Sequence, residues 1–196
     1  MGEGALCSAR FVRRSHGKAG DRVYAYCLFC DTQRCRSVAR LLELRGMQRA
    51  FSPQIVQRQR KQGRNLEKRY DLLPGYVFAF ADVPFTGWAQ TAGIEGLRRR
   101  LGRAEDLYAL QGADREFALR LYQLGGVIDP VRAFRCGDKV TLADSLFSQA
   151  EGQIVEMDRR KARVKIMYRF HGADYFTWAA CDWMDRAEDE AVGPPA

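Results

Sequence analysis

Two stretches of this chain are runs of apolar, β-favouring residues that a period of two divides between opposite faces, and each predicts a strand. Over 22–30, Val23, Ala25, Cys27 and Phe29 fall on one side and Tyr24, Tyr26, Leu28 and Cys30 on the other. Over 72–80, Leu-Leu-Pro-Gly-Tyr-Val-Phe-Ala-Phe opens with the turn pair Pro74-Gly75 and runs into β-favouring residues. Tyr76, Phe78 and Phe80 then share one face, and Val77 and Ala79 the other. Three aromatics on one face exceed what a small sheet needs for its core. The segment reads as an ordinary buried strand or as a docking strand, and the pattern leaves both open.

Between these strands the period changes. Asp31-Thr32 offers an N-cap for a helix over 33–45, where Cys35, Val38, Leu41 and Leu42 form one apolar stripe and Gly46 sits at the C-cap. Residues 50–56 read as a second strand, interrupted or started by Pro53. A polar stretch follows over 57–69, with Arg58, Arg60, Lys61, Arg64, Lys68 and Arg69 opposed only by Glu67, and with Gly63 marking a loop or hairpin tip. A helix weakened by Gly93 and Gly96 is expected over 88–101. A firmer one is expected over 114–124, where Phe117, Leu121 and Leu124 share a face and Gly125-Gly126 ends the run. The order of elements defines an α+β unit with an antiparallel sheet.

From Phe134 onward the chain breaks into short β runs at 139–143, 152–157, 162–168, 175–179 and 181–184, spaced as in a small barrel. The predicted organisation is a basic arm over 1–20, an α+β domain over 21–126, a linker over 127–135, an all-β barrel over 136–185 and a tail over 186–196. The arm and the tail are expected to be disordered.

Composition narrows the function. The 196 residues are 46% hydrophobic, enough for a core, and contain no apolar run long enough to span a membrane. The first twenty residues lack the apolar segment of a secretory signal, so the expected compartment is the cytoplasm, without membrane contact. The net charge is +8, with the basic surplus concentrated before residue 134, which favours contact with a polyanion without identifying it. Six cysteines include the cluster Cys27, Cys30 and Cys35. Residues three apart on a strand point to opposite faces, so Cys27 and Cys30 are poorly placed to share a metal, and structural thiols are the favoured reading. The only histidines, His16 and His171, assemble no nucleophile–base set with these cysteines. The sequence is therefore read as that of a non-enzyme without metal or cofactor.

Two motifs carry a resemblance. The first is Leu73-Pro74-Gly75-Tyr76-Val77-Phe78, preceded by a strand, a helix and a basic loop. The second is Gly137-Asp138-Lys139-Val140 followed by Glu151-Gly152-Gln153-Ile154 and Arg163-Val164-Lys165-Ile166, with Phe147 ahead of the motif glycine. Over residues 22–184 the chain resembles the NusG family of transcription elongation factors, and the second motif looks like its KOW motif. The fold so implied is an N-terminal NGN-type antiparallel sheet with flanking helices, then a small all-β KOW barrel of SH3-like form. The first strand here opens with Val23-Tyr24 where the family commonly has Trp-Tyr, and Thr32-Gln33-Arg34-Cys35 departs from the family's Thr-Gly-x-Glu. Those departures, the basic loop and the overall basicity are more similar to a specialised paralogue of the RfaH or LoaP kind, acting at selected operons.

The resemblance implies a monomeric antitermination and elongation factor whose N-terminal domain binds the clamp helices of the largest bacterial RNA polymerase subunit. Tyr76 and Phe78 match the family positions that face those helices, and Pro74-Gly75 forms the turn that aims them. Arg58, Arg60, Lys61 and Arg64 are candidates for upstream DNA or the non-template strand. In the barrel, Arg159, Arg160, Lys161, Arg163 and Lys165 are candidates for a nascent RNA hairpin, and each basic cluster reads equally as a solvated face. Phe147 and Phe170 match positions that would meet a ribosomal small-subunit protein or termination factor Rho, Phe170 as an exposed loop aromatic, although His171 inserts one residue before Gly172. The alternative is an RNA-binding or ribosome-associated KOW protein that does not bind polymerase.

Overall fold

The computed structural model describes residues 23–85, 91–136, 139–143, 146–149 and 152–184. The expected arm over 1–20 and tail over 186–196 lie outside the described residues, as do Gly137, Asp138 and Glu151 of the second motif.

The first alternating stretch forms β1 (Tyr24–Cys30). Helix α1 (Cys35–Leu44) follows a single 3-10 turn at Thr32–Arg34 and buries Cys35, Val38, Ala39 and Leu42, the stripe that the spacing predicts apart from Leu41. Next come β2 (Arg49–Phe51), β3 (Gln54–Lys61), β4 (Arg64–Asp71) and β5 (Tyr76–Ala81). Pro53 separates β2 from β3, which belong to different sheets, so the strand expected over 50–56 is interrupted there. The basic stretch is a regular hairpin. Lys61 pairs with Arg64 across Gln62 and Gly63, both at positive φ (50° and 77°), a two-residue turn whose twist matches that of the strands.

The helix expected over 88–101 is replaced, in its described part, by turns through 91–96 and strand β6 (Leu97–Arg100) on the edge of β1. The spacing of Ile94, Leu97 and Leu101 imitates a helical stripe. These side chains, however, serve opposite sides of the sheet: Ile94 and Leu97 pack towards α1, and Leu101 towards the other core. Helix α2 (Gly112–Gln123) appears where predicted and buries Phe117, Ala118 and Leu121.

The stretch expected to be a linker carries β7 (Val127–Ile128), which runs parallel to β3, and β8 (Val131–Cys136). Then come β9 (Lys139–Ala143), the helical turn α3 (Leu146–Gln149), β10 (Gln153–Asp158), β11 (Arg163–Phe170) and β12 (Ala173–Met184). Strand β12 spans the two runs read from the sequence. It pairs antiparallel with β11 through Ala180 and then parallel with β8 from Cys181, and this change of partner breaks its alternation.

Three sheets result: β2-β5-β1-β6, β4-β3-β7 and β10-β11-β12-β8-β9. The expected closed barrel is instead a five-stranded sheet with β10 and β9 at its ends, among the described residues. The mixed α/β character expected from the sequence holds. One core lies between α1 and the first sheet and takes Tyr26, Leu28, Cys30, Val77 and Ala79. The other takes Ala25, Cys27, Phe78 and Phe80 together with Phe117 and with Val164, Ile166, Tyr168 and Phe170 of the five-stranded sheet. The two halves of the chain share this second core. No helix among the described residues is long and apolar enough to cross a membrane.

Candidate partner-binding surfaces

The turn before β5 depends on Gly75. It lies at φ +87°, and a Cβ there would stand 3.1 Å from both the Cys30 carbonyl oxygen and Phe29 Cε2. The Tyr76 N–H donates to the Leu73 carbonyl at 3.1 Å and the Cys30 N–H to the Gly75 carbonyl at 2.7 Å, which locks β5 against β1. Tyr76 is thereby set beside Phe29, ring centroids 5.3 Å apart and edge-on.

The aromatic face of β5 is covered. Phe78 is fully buried, and its ring lies 5.4 Å from that of Phe170 and 6.3 Å from that of Phe117. Tyr76 is half-buried, with Phe170 edge-on at 6.1 Å and Tyr175 at 6.3 Å, and the Tyr76 and Tyr175 hydroxyls meet at 3.0 Å. The Tyr168 hydroxyl donates to the Leu72 carbonyl at 3.0 Å. Aromatic pairs of this kind contribute about 0.5–1.5 kcal/mol each beyond their buried area. Burial pushes the Tyr168 hydroxyl pKa well up, and burial together with the Tyr76 hydroxyl raises that of Tyr175 to about 12.

Phe147 and Phe170 need correction as surface contacts. Both are fully buried. Phe170 is the last residue of β11 rather than a loop residue, because His171 and Gly172 alone form the turn to β12. Both have positive φ (50° and 74°), so the apparent insertion is the first residue of a two-residue hairpin turn. Phe147 lies tilted against Tyr168, ring centroids 5.4 Å apart, and approaches the motif glycine: a Cβ on Gly152 would lie 2.3 Å from the Phe147 carbonyl oxygen.

Polar contacts rim the covered face. The Arg58 side chain, 17% exposed, reaches Glu67 at 2.9 Å, the Cys181 carbonyl at 3.1 Å and the Asp182 carboxylate at 2.5 Å. Its charge is held by two carboxylates, so it ties the β3–β4 hairpin to β12 instead of reaching outward. On the far side, the His171 N–H donates to Asp114 Oδ1 at 2.8 Å and its ring Nδ1 lies 3.2 Å from Oδ2, which joins the β11–β12 turn to α2. The other hairpin candidates are spread apart from this rim. Lys61 and Arg64 are exposed at the tip, and the side chain of Arg60 is outside the described residues.

The five-stranded sheet presents the remaining candidates on its outer side. Arg163 lies over Trp178 at 4.2 Å, Lys165 over Phe176 at 5.8 Å and Arg159 over Trp183 at 5.5 Å. Asp158 ends β10, accepts from the Lys161 N–H at 3.1 Å, and pairs with Arg163 and Lys161 at 3.4 Å each. Arg160 is exposed on the same turn. The three aromatic partners were absent from the sequence-based candidates. Register reveals two of them: Lys165 opposite Trp178 and Met167 opposite Phe176 put these side chains on one face.

Among the described residues, Cys27, Cys30, Cys35 and Cys181 are buried with free thiols. Cys27 faces the shared core and Cys30 the α1 core, as alternation requires. Burial raises the Cys27, Cys30, Cys35 and Cys181 thiol pKa values, to about 12 for Cys30 and about 11 for Cys181. Among the described residues no three His, Cys, Asp or Glu come together as metal ligands.

No protein-family model matches the chain, and no curated protein matches it. Among solved structures the chain is similar to that described as "Domain interaction in Thermotoga maritima NusG". The identity is 19%, the match covers 80% of this chain and 92% of that one, and the TM-score is 0.47.

Proposed function

We propose that this chain is a non-enzymatic transcription factor of the NusG kind that binds the clamp helices of bacterial RNA polymerase through the aromatic face of β5, promoting processive elongation at selected operons. One observation carries the reading. The Pro74-Gly75 turn presents Tyr76 and Phe78 on an aromatic face covered by the five-stranded sheet together with Phe117 of α2, and the seam is polar at its rim. Seams that combine an apolar centre with rim ion pairs resemble separable interfaces between domains. In the folded chain Phe78 is buried, so docking requires the five-stranded sheet to lift away and Phe117 of α2 to give way. The exposed tip residues Lys61 and Arg64 would then lie at the end of an arm able to approach upstream DNA or the non-template strand. The five-stranded sheet would be left to recruit its own partner, for which Rho, a ribosomal small-subunit protein and RNA are the classes that the resemblance implies.

A photocrosslinking amino acid at Tyr76 tests the proposal. Crosslinking to the largest polymerase subunit is the expected result in the presence of transcribing enzyme. A protein that stays folded, carries the crosslinker and labels only its own Tyr175 region sinks it.

A second reading is favoured by the complete burial of Phe78. In it, β5 is a core strand throughout and the protein acts on RNA or the ribosome through the five-stranded sheet alone.

A further inference from the structure

We infer that the outer face of β11 and β12 is a binding platform for single-stranded RNA, with bases stacking on Phe176 and phosphates held by the basic turn before β11. This inference rests on the reading that the five-stranded sheet recruits a partner, and does not require that polymerase binds β5. Phe176 is 57% exposed, more than Trp183 of the same strand at 37%. Its neighbours on the face are Met167 opposite and Lys165 on the diagonal, followed by the Arg163–Trp178 pair.

Cations spaced between aromatic rings match a polymer that alternates flat bases with phosphates. The charge balance agrees. Between Gln153 and Trp178, Arg159, Arg160, Lys161, Arg163, Lys165 and Arg169 are set against only Glu156, Asp158 and Asp174. Asp158 and Asp174 are taken up by Arg163, Lys161 and Arg169. Glu156 is held more loosely: its side chain is half exposed and Lys165 is 3.9 Å away, which leaves carboxylate lone pairs facing solvent on the edge strand. A carboxylate repels phosphate but accepts from a ribose 2′-hydroxyl, which favours RNA over DNA as the occupant. A duplex is excluded because its bases are stacked on each other and cannot reach Phe176.

The test uses the full chain and a fluorescently labelled oligouridine of about 12 nucleotides, a length within the range that small β platforms cover. Anisotropy is measured across salt. Phe176→Ala and Phe176→Leu are each expected to weaken binding about 10-fold, while Phe176→Tyr keeps the affinity, because stacking needs a ring and not merely an apolar group. Arg160→Ala is expected to weaken binding and reduce the salt slope by about 0.7. Phe176→Leu binding as tightly as the unaltered chain, or binding that responds to Arg160→Ala and to none of the Phe176 changes, would overturn the platform. Equal affinity for the matching oligothymidine would overturn the assignment to RNA. Polymerase is absent from the assay, so its outcome is independent of the β5 interface.

Discussion

The Tyr76 and Tyr175 hydroxyls lie 3.0 Å apart, joining the first sheet to the five-stranded sheet at the edge of a shared aromatic core. Tyr76 belongs to the strand proposed to meet polymerase, and Tyr175 to the sheet that covers it. Tyr175→Phe removes this bond and little else. The expected outcome is a loss of about 0.5–1.5 kcal/mol in urea unfolding, with faster hydrogen exchange across β5 and β12. Unchanged exchange there would show that the bond does not help hold the seam.

Arg58 and Asp182 form a second tie across the same seam. In a double-mutant cycle of Arg58→Ala and Asp182→Ala, the coupling is expected to be about 1 kcal/mol, modest because Asp182 is half exposed. Arg58→Ala should also cost more than Asp182→Ala, since it releases Glu67 and the Cys181 carbonyl as well. Equal single-mutant losses would contradict this placement.

Gly75→Ala is expected to destabilise the fold by about 1–2 kcal/mol, because φ there is left-handed and the new methyl meets the Cys30 carbonyl and the Phe29 ring. Thermal unfolding reads the loss. A neutral effect would mean that the turn relaxes, and that Tyr76 is not aimed by it.

Alkaline pH should weaken the protein. The buried thiols and Tyr175 have folded pKa values above their ordinary ones of 9.0 and 10.0, so above about pH 9 the unfolded chain releases protons that the folded chain keeps. Their contribution is fully present below those ordinary values and is lost as pH rises towards about 12. Urea midpoints measured from pH 7 to 11 should fall progressively, and a flat profile would contradict it. At pH 8, Cys27, Cys30, Cys35 and Cys181 should react with a thiol reagent only after unfolding, as peptide mass mapping would show.

What the sequence made legible was local. Alternation assigned both faces of β1 and β5 correctly, because each residue faces whichever core its parity dictates. The β3–β4 hairpin and α2 carried their own turn and stripe signals. Contacts between distant segments were not legible. The pairing of β7 with β3 rests on two residues, too few to leave a period. The change of partner within β12 made one strand look like two, and the opposed sides of Leu97 and Leu101 looked like a helix. The same limit applies to the candidate sites. Nothing local in Phe170 or Arg58 says that the first is buried under Phe78 or that the second is claimed by Asp182, whereas the exposed tip and the basic turn at 159–161 were found by charge alone.

The most direct test is retention of bacterial core RNA polymerase by the immobilised 196-residue chain, compared with folded Tyr175→Phe and Tyr76→Ala variants. If the aromatic face of β5 binds polymerase and the second sheet must lift to expose it, Tyr175→Phe should retain several-fold more polymerase than the unaltered chain, since about 1 kcal/mol towards the open form raises its population about five-fold. Tyr76→Ala should retain little, because it loosens the seam but removes a contact. Tyr76→Ala retaining as much as Tyr175→Phe would contradict the account.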